Sequence, residues 1–165
     1  MAWFTRRRAD DADNAPAAPP PDDPEDSAEA LTSAIEQLNR AINRGAGGLP
    51  LTAVVGARRI TDTLQQVVDT STTRPLDVYA LLSIRGIVSD YLPTTLRTYL
   101  SVDVALLDTV RAAGLTPVES LLAQLDALQT SASATLVSVR QQDADALMTQ
   151  GGFVQTKFSR SDLDL

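Results

Sequence analysis

The chain has 165 residues, of which 44% are hydrophobic and only 4% aromatic, and a formal charge of -7. That is enough for one domain with an aliphatic core, and its acidity argues against holding a nucleic-acid backbone. With no cysteine and no histidine, the chain has no disulfide, thiolate, zinc–thiolate site or imidazole base; Ser-His-Asp and Cys-His catalysis are excluded, and carboxylate or lysine chemistry stays open.

Residues 1–26 are dominated by Ala, Pro and Asp, with Pro16, Pro19, Pro20 and Pro21 close together. Such a segment cannot bury enough apolar surface to offset the entropy of ordering it, so a disordered tail is expected. At its start, Trp3 and Phe4 precede Arg6, Arg7 and Arg8. Aromatic rings at headgroup level with arginines on anionic lipid would make a weak membrane-surface contact; a solvated terminus is the plain alternative. Asp10, Asp11 and Asp13 follow, so neither an apolar signal core nor a twin-arginine signal is read here. No stretch approaches the ~18 to 20 apolar residues of a membrane-spanning helix. The expectation is a cytoplasmic protein, with any lipid contact at the inner face of the membrane.

Helical pattern begins near Asp23, which can cap, with Pro24 at the first helical position. Leu31, Ile35, Leu38 and Ile42 then form an apolar stripe, which Gly45, Gly47 and Gly48 end. Pro50 opens a second helix with Leu51, Val54, Val55, Leu64, Val67 and Val68 on a broad face, up to a polar break at residues 70–73. Pro75 opens a third, with Val78, Leu81, Leu82, Val88 and Tyr91 on its buried side, and Pro93 must kink or restart it. A short helix carrying Leu96, Tyr99, Leu100, Leu106, Leu107 and Val110, with an interruption near residues 101–103, stops at Gly114.

Thr116, Pro117 and Glu119 occupy N-cap, N1 and N3 of a capping box, the sharpest local signal in the chain. Behind it Val118, Leu121, Leu125, Leu128, Ala132, Thr135, Val139 and Ala146 step by threes and fours, flanked by Leu122, Leu136 and Leu147. Gly151 and Gly152 end or bend this helix, and Phe153, Val154 and Phe158 fold back onto the bundle. No strand alternation is sustained. The fold expected is all-α: a bundle of four to six helices over residues 27–160, with the tail before it and a short acidic tail, 161–165, after it.

No set of residues reads as a catalytic, metal or cofactor site. Asp143 and Asp145, with Asp126, are carboxylates on one helix, and residues two apart on a helix do not face each other. Arg58 and Arg59, with Arg40 and Arg44, are expected to pair with acidic residues on neighbouring helices. The glycines around Ala46 lack the Gly-Lys-Ser/Thr ending of a phosphate loop and follow no strand. Lys157 is the only lysine, without a partner in sequence that would make it a Schiff-base residue.

Asp90, Tyr91, Leu92, Pro93, Thr94, Thr95, Leu96, Arg97, Thr98, Tyr99 and Leu100 form a stretch that resembles the D-Y-L-P-T-T-L-x-x-Y-like signature of the XpaC-like family, named for 5-bromo-4-chloroindolyl phosphate hydrolysis. The resemblance extends over roughly the C-terminal 90 residues, with only the short core specific. It implies a link to toxic-anion resistance and envelope stress, and its name implies a phosphatase. It carries no agreed catalytic residues to this chain. Tyr91, Leu92, Pro93, Leu96 and Tyr99 read as a structural signature, with Pro93 setting a kink and Tyr91 and Leu96 buried beside it. The expectation is a non-enzymatic helical interaction protein that holds a protein partner in a groove between helices. A peripheral membrane protein anchored by its first eight residues, or a hydrolase, are the alternatives.

Overall fold

The computed structural model describes residues 27–72, 74–111 and 114–161, with side chains as far as residue 150. Residues 1–26 lie outside the described residues, and with them the expected tail and Trp3, Phe4, Arg6, Arg7 and Arg8. The fold is all-α, and no strand occurs among the described residues.

Helix α1 spans Ala28–Gly45 and α2 spans Leu51–Thr70, joined by a single 3₁₀ turn at Ala46–Gly48. α1 begins later than Asp23: Ser27 has extended backbone angles and its hydroxyl accepts from the Ala30 N–H at 3.1 Å, closing the N-terminus there. The predicted stripe of Leu31, Ile35, Leu38 and Ile42 is buried. α2 runs antiparallel to α1 and contributes Ala53, Ala57, Ile60, Leu64, Val67 and Val68 to the core. Leu51 and Val55, expected on that face, are exposed; the first turns of α2 follow the alanine line at 53 and 57 inward instead. Thr61 is fully buried, with its hydroxyl 2.8 Å from both Asn39 Oδ1 on α1 and the Arg58 carbonyl.

The third rod is one continuous helix in three parts. α3 is Val78–Arg85, a π-helical segment occupies Gly86–Tyr91, and α4 is Leu92–Leu100. Its start is set by Asp77, whose carboxylate accepts from the Ala80 N–H at 2.7 Å, rather than by Pro75. Pro93 stands in the first turn of α4, where the rod returns from π to α geometry. The Leu92 N–H reaches back to the Ile87 carbonyl, five residues away. The wider turn gives the Pro93 ring, which carries no N–H, room that an α-turn would deny it. After α4 the expected helix through Val110 is absent: residues 101–111 hold one 3₁₀ turn, Val104–Leu106, capped by Asp103.

α5 runs Pro117–Ser161, 45 residues. The capping box forms as read: the Thr116 N–H and hydroxyl donate to Glu119 Oε2 at 2.8 and 2.9 Å, and the Glu119 N–H donates to Thr116 Oγ1 at 3.3 Å. These bonds hold the Glu119 carboxyl below its ordinary pKa. α5 continues through Gly151 and Gly152, so the segment carrying Phe153, Val154 and Phe158 extends the helix instead of folding back. Leu121, Leu125, Ala132, Thr135, Leu136 and Val139 are buried, whereas residues 144–150, Ala146 and Leu147 included, are all exposed. The chain therefore runs up α1, down α2, up α3–α4 and down α5. α5 packs most extensively on α2 and projects past the α2–α3 connection.

Candidate functional site: a tyrosine-lined groove

Where α3 and the π segment lie along α5, the core seam leaves an open groove of about 460 Å³ lined by Tyr79, Leu82, Ser83, Ile87, Tyr91, Leu128 and Ser131. It exists because this rod presents its apolar residues in two directions. Ala80, Ile84, Ile87 and Val88 turn inward, while Tyr79 is 72%, Leu82 65% and Tyr91 58% exposed. Among the family-like residues, Leu92, Leu96 and Tyr99 are core and Pro93 is half-buried, but Tyr91, expected in the core, is not. The extra residue of the π turn rotates it out of the stripe that carries Ile84 and Ile87.

Tyr91 is held in place by Gly86. A Cβ at Gly86 would lie 3.0 Å from Tyr91 Cε2, so the absence of a side chain lets the ring lie across the helix backbone. The floor is fixed by a half-buried contact between rods. Thr135 donates to the Ser131 carbonyl at 3.1 Å, which leaves Ser83 to donate to Thr135 Oγ1 at 2.9 Å. No charged side chain lines the groove. Two of the three tyrosines of an aromatic-poor chain stand in it.

At the α3 end a polar clasp ties the rod to α5. Arg74 donates to Gln142 Oε1 at 2.9 Å and lies 3.4 Å from Asp143 Oδ1; Gln142 in turn donates to Asp77 Oδ2 at 2.7 Å. The Ala80 N–H first, and then Gln142, hold the Asp77 carboxyl below its ordinary value. Asp143 is thus a tether, and Asp145, on the exposed extension, is not its partner in a site.

The arginine cluster does not assemble as expected. Arg58 donates to the Asn43 amide oxygen at 2.7 Å, and Arg40 pairs with Glu36 of its own helix at 3.6 Å. Arg59 and Asp126 border a small cavity of about 140 Å³ beside Gly56 and Gln129. Among the described residues no group of three or more His, Cys, Asp or Glu is placed to hold a metal ion, and no helix is long and apolar enough to cross a membrane.

Sequence reasoning missed Tyr79 and the Arg74–Asp77–Gln142 clasp, and Val78 and Leu82, expected on the buried side of this helix, are exposed because the inward stripe runs through Ala80 and Ile84 instead. Asp77 ahead of an apolar run is a capping signal of the kind read at Thr116. The groove has no such signal, because the run from Val78 to Val88 is apolar on nearly every face and its phase is not set by spacing. Comparison of the chain with protein-family models, curated proteins and solved structures gives no match.

Proposed function

We propose that this chain is a non-enzymatic interaction protein whose partner docks in the groove between α3, the π segment and α5. The observation that carries this reading is the exposure of Tyr79, Leu82 and Tyr91 in one concave, uncharged surface. Tyrosine is enriched among residues that dominate binding energy, since it offers a large rigid face and a polar tip. Exposed apolar side chains gathered in a concavity mark interaction sites more often than those scattered singly. A π turn at the edge of such a surface fits a device that re-aims one side chain. The link to envelope stress and toxic-anion resistance rests on the resemblance of residues 90–100 and sets the conditions under which a partner should be sought.

The test is capture of a partner from the native host with full-length chain, comparing wild type with Tyr79→Ala/Tyr91→Ala and with Val104→Ala. Val104 is 80% exposed but lies in the α4–α5 connection. A protein recovered by wild type and by Val104→Ala, and lost with the tyrosine pair, supports the reading. Recovery unaffected by the tyrosine pair refutes it.

A further inference from the structure

We propose that the occupant of the groove is a second copy of this chain, so that two copies close a dimer through the outward faces of α3 and the π segment. This rests on the reading of the groove as a docking site and names the partner. Two observations carry it: the charge this face lacks and the area it leaves uncovered.

The chain has 21% charged residues and a formal charge of -7. The face around the groove departs from that composition. Residues 78–84 on the rod and residues 127–139 on α5 include no charged residue. Arg85 turns to the other side of the rod, where it lines a cavity with Ala30 and Ala34 of α1. A basic partner would be met by carboxylates that steer it and fix its register, and none lines this groove. Two copies of an acidic chain repel where their charges meet, so they come together at least cost on a face that holds no charge. Depletion of charge with tyrosine enriched is also the composition of interface cores.

The area points the same way. Val78, Tyr79, Leu82 and Tyr91 are all more than half exposed. A tyrosine can bury about 150–250 Å², so these four side chains supply on the order of 500 Å² toward the about 800 Å² that each partner gives to a standard interface. Ala127 and Ala134, exposed and within one turn of Ser131 on α5, widen the face. A two-fold contact needs projections and a recess on one surface. Here Tyr79 and Leu82 project beside a floor kept low by Ser83 and Ser131, so the side chains of each copy enter the groove of the other.

In sedimentation velocity at micromolar concentration, full-length chain should run at twice its 17.6 kDa. Added salt should strengthen the dimer, because it screens the repulsion between two acidic copies and no ion pair holds the contact. Tyr79→Ser/Tyr91→Ser should raise the dissociation constant at least about a hundredfold, since each change counts twice in a two-fold interface. The chain has no cysteine, so Leu82→Cys places one thiol within the face. A short bismaleimide should join two copies through it, and should not join them through Gln37→Cys on α1. A monomer even at high micromolar concentration, a dimer that survives the tyrosine changes, a dimer weakened by salt, or equal crosslinking from the two cysteine variants each overturns the proposal. If the chain is monomeric while partner capture still depends on Tyr79 and Tyr91, the groove stands as a docking site and only the second copy is wrong.

Discussion

α2 is amphipathic and α3 is almost wholly apolar, and they spend their apolar side chains differently. α2 turns Ile60, Leu64, Val67 and Val68 into a seam shared with α1 and α5, and its polar contacts, such as Thr61 to Asn39, are internal ties. α3, eight residues long, buries Ala80 and Ile84 while Val78, Tyr79 and Leu82 face outward. Apolar side chains on α2 account for the stability of the bundle. Those on α3 account for a surface. The contrast teaches that high hydrophobicity in a short helix is not by itself evidence of a core position.

The largest expected effect lies on the α2 side. Leu64→Ala removes a fully buried side chain and should lower unfolding free energy by about 2–5 kcal/mol in denaturant titration. A loss under about 1 kcal/mol would mean that the seam is loosely packed and the comparison unsound. Next comes the clasp. Asp77→Ala removes the cap on α3 and the tie to Gln142 and should cost about 1 kcal/mol. The Asp77 carboxyl titrates below its ordinary value of 3.8 in the folded chain. Its contribution is therefore present above pH 3.8 and is lost as pH falls through the lower folded value. The difference between wild type and Asp77→Ala should thus be constant near neutrality and shrink only in acid; a difference that changes between pH 6 and 8 would contradict this assignment.

A smaller effect, of opposite sign, is expected at Gly56. A Cβ there would sit 3.6 Å from Leu125 Cδ1, an ordinary contact. Gly56→Ala should stabilise by about 0.5–1 kcal/mol through helix propensity alone, and destabilisation would show that α2 and α5 approach more closely than described. The smallest effect belongs to the groove. Tyr91→Ala should change stability by about 0.5 kcal/mol or less, as for other surface positions. A loss near 3 kcal/mol, the size expected of a core aromatic, would return Tyr91 to the core and erase the contrast between the helices.

Much of the fold was legible in the sequence, for identifiable reasons. The stripe from Leu31 to Ile42, the glycine stop at Gly45 and the Thr116–Glu119 box are local signals, each complete within one or two turns. The differences arise where a helix departs from regular spacing or runs on through residues that usually end it. Regular α-helical spacing puts Tyr91 in the core, and one π turn shifts the phase. Gly151 and Gly152 carry the signal for an end or a bend, yet α5 continues through them. The candidate groove was the least legible part. It depends on Gly86 lying beneath Tyr91 and on Leu128 and Ser131 arriving from α5, and no spacing within residues 78–91 encodes either.

The central claim is that the outward face of α3 and the π segment is where a partner sits. Its most direct test is site-specific photo-crosslinking in the native host, with a photoreactive phenylalanine analogue in place of Tyr79 or Tyr91, and in place of exposed Gln37 on α1 as the reference. The account predicts one discrete adduct from both groove positions and none from Gln37. No adduct from either groove position, or the same adducts from all three, would contradict it.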